Sequence, residues 1–173
     1  MDAIAKGYAV DQALAALVKS GVVGGMVDIG GEITCFGENQ PGRDWLLGIQ
    51  DPFSAQNENQ LSEKPGWIVS LRDCAIATSG NYRRYITISG QKYSHIIDPV
   101  TGRPAEKLPS VTIIAEKTVD ADALATAISV MGPEKGMELI EILANTEAFL
   151  IAGSSEKPEL YRSSGFAKLD VLP

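Results

Sequence analysis

Apolar residues recur at helical spacing near the start of the chain. Val10, Leu14 and Leu17 lie three or four positions apart, so their side chains share one face of a helix. This periodicity predicts an amphipathic helix over about residues 3–20, and Gly21 is a typical residue to end it. The first element is therefore expected to be a helix that buries one of its faces.

Short apolar runs between turn residues dominate the rest of the sequence. Runs of this length that are rich in β-branched residues and bounded by glycine or proline are typical of strands. They predict strands at 26–29 and 32–36, within 42–52 and 66–80, in a hairpin over 81–99, at 110–116 and, as three short strands, within 147–169.

Two consecutive helices are predicted in the second half, over 119–131 and 134–144, with Gly132 and Pro133 between them. Helices and strands are grouped rather than strictly alternating. This order indicates an α+β fold with a mostly antiparallel sheet and packed helices. No repeat or linker divides the sequence, so we expect a single domain over 1–173.

The composition fits a globular protein and excludes several classes of function. Of the 173 residues, 45% are hydrophobic and 21% are charged, which is usual for such proteins. The formal net charge of -7 argues against binding to nucleic acid, which needs a basic patch. No run reaches the roughly 18 apolar residues of a membrane-spanning helix, and the N-terminal pattern is not that of a signal peptide.

The two cysteines, Cys35 and Cys74, both lie in apolar segments. Buried free thiols are the favoured interpretation, because cysteine is among the most buried residue types. A disulfide between them stays open as an alternative, because the sequence does not give the distance between the two residues.

A carboxylate and a hydroxyl share one face of the helix predicted over 119–131. Asp122 and Thr126 are four residues apart, which makes them neighbours on that face. Mg²⁺ prefers such oxygen ligands and usually completes its shell with water and substrate phosphates. An acid near the first turn can also cap the helix or interact with its dipole, and the spacing alone favours this second interpretation.

Four other segments carry residues suited to a ligand. Ser79 and Gly80 end a predicted strand with small side chains, which allow a close approach to the backbone. His95, the single histidine, follows another strand, where it is either a structural residue or a general base. The glycine pair 30–31 permits a tight turn or a close ligand contact, and Lys6 near a helix start is suited to an anion.

Taken together, these segments resemble the ApbE family of FAD:protein FMN transferases. The segments AIAKGYAVD, VDIGGEI, IATSGNYRRY, YSHIIDPVTGRP and SVTIIAEKTVDADALATAISVMGPEKG occur in that order and span nearly the whole chain. The combination of HIIDPVTGRP with DADALATA is highly specific. The resemblance implies an α+β fold and a Mg²⁺-dependent reaction. That reaction cleaves the pyrophosphate of FAD, attaches FMN to a threonine or serine of a target flavoprotein, and releases AMP.

The resemblance also implies roles for individual residues. Asp122 and Thr126 match the family's side-chain ligands of Mg²⁺, and Ala3 matches a residue whose backbone carbonyl completes the protein's share of the shell. His95 matches the proposed catalytic base. The residues in segments that line the FAD cleft are Lys6, Asp11, Gly30, Gly31, Glu32, Ser79 and Gly80.

The sequence departs from the family at its beginning, because it starts within AIAKGY whereas full-length members extend well before this point. We therefore expect a truncated member. Two alternatives follow: an FAD- or metal-binding module without transfer activity, and an FAD diphosphatase that yields FMN and AMP. Missing strands would expose a sheet edge, which predicts a homodimer that covers it. The resemblance implies a periplasmic or membrane-anchored setting for the intact protein.

Overall fold

The computed structural model describes residues 2–54, 65–80, 85–88 and 90–171. The elements are, in order, α1 (Asp2–Lys19), β1 (Gly25–Ile29), β2 (Glu32–Phe36), β3 (Trp45–Ile49), β4 (Trp67–Leu71), β5 (Cys74–Gly80), β6 (Tyr85–Ile88), β7 (Gln91–Ser94), β8 (Ser110–Ala115), α2 (Thr118–Met131), α3 (Pro133–Glu141), β9 (Glu147–Gly153) and β10 (Pro158–Arg162), followed by a 3-10 helix at Phe166–Lys168. The α+β class predicted from the sequence is confirmed.

Six strands form the main sheet in the order β1-β2-β5-β8-β9-β10, and all neighbouring pairs in it are antiparallel. Two further antiparallel pairs, β3 with β4 and β6 with β7, form separate two-stranded sheets. Within the described chain, β1 and β10 are the edges of the main sheet. A homodimer that covers one of these edges stays a prediction.

Both faces of the main sheet are covered. One face packs against α2 and α3 through residues such as Ala121, Ala125 and Ile140. The other face packs against β3 and β4 through residues such as Val69 and Leu71. As a result, β8 in the middle of the sheet is buried along its whole length.

The helices lie close to their predicted positions. α1 has 18 residues, and α2 ends at Met131. At the next residue, Gly132, the backbone turns with φ of +88° before Pro133 begins α3. α3 ends at Glu141, which is earlier than the predicted end near residue 144. None of the helices in the described ranges is long and apolar enough to cross a membrane.

One predicted element is different in the structure. The sequence pattern predicts a third short strand at the end of 147–169, where the chain instead forms the 3-10 helix. The Phe166 side chain is fully buried and stacks on Phe149, with ring centroids 5.2 Å apart. Burying this ring turns the chain inward, and short-range bonds such as that from the Lys168 N–H to the Gly165 carbonyl satisfy the backbone there. The hairpin predicted over 81–99 forms β6 and β7 at 85–88 and 91–94, whereas residues 81–84 and 89 lie outside the described residues.

Candidate functional site

A cavity of about 600 Å³ lies where α1 and α2 meet one end of the main sheet and the segment that follows β7. Its volume is within the usual range of small-molecule sites. Residues from distant parts of the sequence converge there. Nine predicted site residues line it, namely Ala3, Lys6, Gly30, Glu32, Ser79, Gly80, His95, Asp122 and Thr126.

Two carboxylates hold α1 and α2 against each other. Asp11 of α1 accepts hydrogen bonds from the backbone N–H groups of Thr118 at 2.9 Å and Val119 at 3.0 Å. N–H groups in the first turn of a helix have no partner within that helix, so Asp11 caps α2 and places negative charge at its positive end. Asp122 of α2 accepts a hydrogen bond from the Gly7 N–H of α1 at 3.0 Å. These reciprocal bonds fix which face of α2 points into the cavity.

The close approach of the two helices depends on Gly7. A Cβ at this position would lie 2.5 Å from the carbonyl oxygen of Thr118 and 2.7 Å from the Cα of Val119. In a regular helix the Gly7 N–H pairs with the carbonyl oxygen of Ala3, and the bond to Asp122 competes for this donor. The Ala3 carbonyl is therefore suited to a ligand in the cavity that it shares with the Asp122 carboxylate.

Asp122, Thr126 and Val130 follow one another along α2 at intervals of four residues, and all three line the cavity. Asp122 is only 3% exposed. The Thr126 hydroxyl oxygen lies 3.5 Å from the hydroxyl oxygen of Ser79 on β5. One face of α2 thus presents a carboxylate, a hydroxyl and an apolar side chain to the same space.

A two-residue turn brings Glu32 to the cavity. Gly30 and Gly31 connect β1 to β2 with φ of +70° and +97°, and the flanking Ile29 and Glu32 are direct cross-strand partners. A type I′ turn requires positive φ at both central positions, which glycine adopts without strain. The positive φ angles that this turn requires therefore explain why both positions are glycine.

Glu32 is 2% exposed, and its Oε1 pairs with the Lys6 ammonium. Its Oε2 is buried and has no hydrogen-bond partner among the described residues. Burial raises the pKa of the Glu32 carboxyl, Lys6 opposes that shift through its hydrogen bond and charge, and the Asp122 charge raises the pKa further. A buried carboxylate oxygen without a partner is costly, so this corner of the cavity favours a cation or a hydrogen-bond donor from a ligand.

The segment after β7 forms the opposite side of the cavity. It contributes an imidazole and apolar surface, from His95, Ile96, Ile97 and Pro99. His95 is exposed to solvent. The three apolar residues are not among the predicted site residues, although they lie within the quoted segment YSHIIDPVTGRP. Val130 is also not among the predicted site residues, although its four-residue spacing from Thr126 was a usable signal.

Hydrogen bonds within the loop that follows fix its shape. Asp98 accepts the Val100 N–H on Oδ1 and the Thr101 hydroxyl on Oδ2, each at 2.8 Å. The Asp98 N–H donates to the Arg103 carbonyl at 2.9 Å. The bonds from Val100 and Thr101 stabilise the charged carboxylate and hold the pKa of Asp98 below its ordinary value.

Two predicted site residues, Asp11 and Gly31, are not among those that line the cavity. Both oxygens of Asp11 face the start of α2, and the Gly31 N–H donates to Asp28 Oδ1 at 2.8 Å. In the described ranges, three or more His, Cys, Asp or Glu side chains do not come together as a metal site. A metal in this cavity would therefore depend on hydroxyl, carbonyl, water and substrate oxygens in addition to carboxylate.

Comparisons with known proteins identify relatives over most of the chain. A family model described as the ApbE family matches residues 1–150. The FAD:protein FMN transferase of Vibrio cholerae is 41% identical over 168 residues, which are 96% of this chain and 48% of that protein. The FAD:protein FMN transferase of Treponema pallidum is 38% identical over 87% of this chain and 42% of its own length. The chain thus spans about half the length of the curated relatives it matches.

Solved structures share the fold at similar identity. The ApbE protein of Thermotoga maritima superposes with a TM-score of 0.83 at 33% identity, covering 98% of this chain and 52% of that one. The flavin transferase ApbE of Vibrio cholerae gives a TM-score of 0.78 at 38% identity, covering 96% of this chain and 50% of that one. The family-model match and these relatives together show that the chain belongs to the ApbE family.

Proposed function

We propose that the chain carries the magnesium- and flavin-binding site of an FAD:protein FMN transferase. The reaction cleaves the pyrophosphate of FAD, joins FMN through a phosphoester to a threonine or serine of a target flavoprotein, and releases AMP. The observation that carries the proposal is the convergence of Asp122, Thr126, Lys6 and His95 on one cavity. The flavin-transferase names of the relatives support the same reaction class.

The groups that would hold Mg²⁺ are the Asp122 carboxylate, the Thr126 hydroxyl and the Ala3 carbonyl. All three are hard oxygen donors of the kind this ion prefers. The unpartnered Oε2 of Glu32, which interacts electrostatically with Asp122, adds negative charge that favours a cation. When bound, Mg²⁺ supplies neutralisation of charge on the pyrophosphate oxygens.

The remaining residues have roles in binding FAD and moving a proton. The Lys6 ammonium is suited to a phosphate oxygen. An imidazole nitrogen of His95 takes the proton of the acceptor hydroxyl as its oxygen attacks the phosphorus of the FMN half. The bond from this phosphorus to the bridging oxygen then breaks, and AMP leaves with that oxygen. The side chains of Ile96 and Ile97 add apolar surface beside these groups, which suits the non-polar part of a flavin ligand.

A second candidate function is flavin or metal binding without transfer. The observation that favours it is the length of the chain, which is about half that of its curated relatives. In this case the cavity would retain FAD, and the pyrophosphate would stay intact. For either function we propose the periplasmic or membrane-anchored setting that the family resemblance implies.

The test combines FAD, Mg²⁺ and a target flavoprotein of one of the relatives, with AMP release and covalently bound flavin measured together. Asp122→Asn is the informative variant, because asparagine retains an oxygen that can accept the Gly7 N–H but lacks the charge. Asp120→Asn is the matched control, since this acid is exposed and lies in the first turn of the same helix. We expect Asp122→Asn to abolish Mg²⁺-dependent AMP release and weaken calorimetric Mg²⁺ binding, with no change for Asp120→Asn.

The outcomes separate the candidates. AMP release with covalent flavin supports transfer, whereas AMP and free FMN without covalent flavin identify a diphosphatase. FAD binding without AMP release identifies the binding module. Full activity of Asp122→Asn in Mg²⁺ would show that the metal assignment is wrong.

A further inference from the structure

A pair of thiols lies on the face of the main sheet opposite α2. Cys35 of β2 and Cys74 of β5 are direct partners in the antiparallel register, at the end of these strands away from Ser79 and Gly80. Cys35 belongs to the buried core next to β3 and β4, and the partly buried Cys74 packs against that core. Both are free thiols; Cys35 is 1% exposed, and Cys74 is half-buried.

The register gives the two residues a spacing that suits a disulfide. Residues directly opposite in an antiparallel pair have Cα atoms about 4.5–5.5 Å apart, which lies inside the range of roughly 4.4–6.8 Å found for disulfides. The Cys35 Sγ lies 3.5 Å from the Cys74 carbonyl oxygen. As direct cross-strand partners that contact the same apolar cluster, the two side chains lie on the same face of the sheet.

The two thiols differ in acidity and in access. The hydrogen bond from Cys35 lowers the pKa of the Cys74 thiol, against opposing effects of burial and of Asp73 and Asp44. The same hydrogen bond and burial raise the pKa of the Cys35 thiol. The thiolate is the reactive form of cysteine, so the more accessible Cys74 is also the more nucleophilic partner.

We propose that Cys35 and Cys74 form a redox-active dithiol, which low-molecular-weight disulfides such as oxidised glutathione convert to a cross-strand disulfide. The Cys74 thiolate attacks one sulfur of oxidised glutathione, and the first glutathione thiolate leaves. Cys35 then loses its proton and attacks the Cys74 sulfur of the mixed disulfide, which expels the second glutathione. Two protein thiols are oxidised, and one glutathione disulfide is reduced to two thiols. This inference does not depend on the proposed flavin chemistry.

The disulfide would link β2 to β5 directly. Glu32 begins β2, and Ser79 lies near the end of β5, so the crosslinked strands are the same two that carry these cavity residues. The bond would join residues 39 positions apart, which restricts the unfolded chain. We expect oxidation to raise Tm by about 5–15 °C.

The test equilibrates the 173-residue chain with defined ratios of reduced to oxidised glutathione, then alkylates the remaining thiols and measures intact mass. In oxidising mixtures we expect a loss of two hydrogen atoms, no alkylation, and a Cys35–Cys74 crosslinked peptide. Cys35→Ala should instead accumulate a stable mixed disulfide with glutathione on Cys74. Cys74→Ala should react at least ~10-fold more slowly, because the remaining thiol is buried and less acidic.

The wild-type measurement decides the proposal even where a variant folds poorly. Full alkylation of both thiols after equilibration with excess oxidised glutathione would overturn it. So would a bond between two chains in place of the internal crosslink. Equal reaction rates for the two single variants would overturn the assignment of Cys74 as the attacking residue.

Discussion

The two sides of the cavity are held by the rest of the protein in different ways. The helix wall consists of Ala3, Lys6, Asp122 and Thr126. The hairpin wall consists of His95, Ile96, Ile97 and Pro99. The helix wall belongs to two helices that bond to each other's backbone, and α2 packs on the main sheet. The hairpin wall follows β7, which pairs with β6 in a two-stranded sheet apart from the main one.

The difference fits the two demands of the proposed reaction. Phosphoryl transfer requires charged groups in fixed positions, and Asp122 is both buried and anchored to Gly7. Shelter from water also strengthens its attraction for a cation. The proton acceptor must instead reach a hydroxyl on another protein, and His95 is exposed. The buried wall is thus suited to the metal and phosphates, and the exposed wall to the acceptor.

The largest expected effect is a loss of activity, without a comparable loss of stability, when His95 of the hairpin wall is replaced. His95→Ala should lower the rate of covalent flavin transfer by about 10²–10⁴-fold, because it removes a general base. The free energy of unfolding should change by only about 1 kcal/mol or less, since the side chain is exposed. The transfer rate at saturating FAD and urea denaturation of the same preparation measure the two quantities.

Val100→Ala is the matched control, because Val100 is 91% exposed in the same loop and does not line the cavity. It should leave both quantities unchanged. A loss of transfer below about tenfold for His95→Ala would make this residue structural. A large loss of stability for His95→Ala would show that the hairpin wall, like the helix wall, contributes to holding the fold together.

Replacing Gly7, which lies behind the helix wall, is expected to change mainly the stability of the protein. Gly7→Ala would gain up to about 1 kcal/mol from helix propensity. Its Cβ would however meet the backbone of α2 at 2.5 Å, so the helices must separate. We expect a net loss of about 1–3 kcal/mol in the free energy of unfolding, as for other overpacked sites. Weaker Mg²⁺ binding should accompany it, because the Gly7 N–H orients Asp122.

Ala16→Gly is the comparison for this prediction, since Ala16 is exposed on the same helix. It should cost about 1 kcal/mol through propensity alone and leave Mg²⁺ binding intact. If Gly7→Ala stabilises the protein, as propensity alone predicts, the close approach of α1 and α2 is not what holds the helix wall.

Local patterns predicted most of the elements and part of the site. The spacing of Val10, Leu14 and Leu17 gave α1, and the four-residue spacing of Asp122 and Thr126 placed both on one cavity-facing side of α2. These features depend on neighbours in sequence. The roles that the family resemblance implies for individual residues stay predictions.

Local sequence patterns could not predict the contacts between distant segments. Asp11 was assigned to the FAD cleft with its motif, but its carboxylate bonds to residues 107 and 108 positions away. The inward turn at Phe166 depends on Phe149, which lies in a different strand. The apolar residues of the hairpin wall also lack a periodic pattern, because a loop that folds back on itself has none. Such features depend on tertiary structure, which local sequence patterns do not encode.

The smallest expected effect concerns acid pH at the loop beside the hairpin wall. Bonds from Val100 and Thr101 hold the pKa of the Asp98 carboxyl below its ordinary value of 3.8. A depressed pKa means that the carboxylate stabilises the loop at pH values above 3.8, and that this contribution is lost as the pH falls through the lower pKa of the folded state. In NMR spectra, the amide signal of Val100 should therefore titrate with a midpoint below 3.8.

Asp98→Asn should abolish this titration, since asparagine accepts hydrogen bonds without ionising. Asp120→Asn, in the first turn of α2, should leave it unchanged. A midpoint at or above 3.8 would mean that the carboxylate does not stabilise the loop. Backbone bonds such as those from Asp98 N–H to Arg103 and from Ala105 N–H to Ile96 would then hold the hairpin wall in place. The exposed wall would in that case depend on its backbone alone, whereas the buried wall depends on its carboxylates.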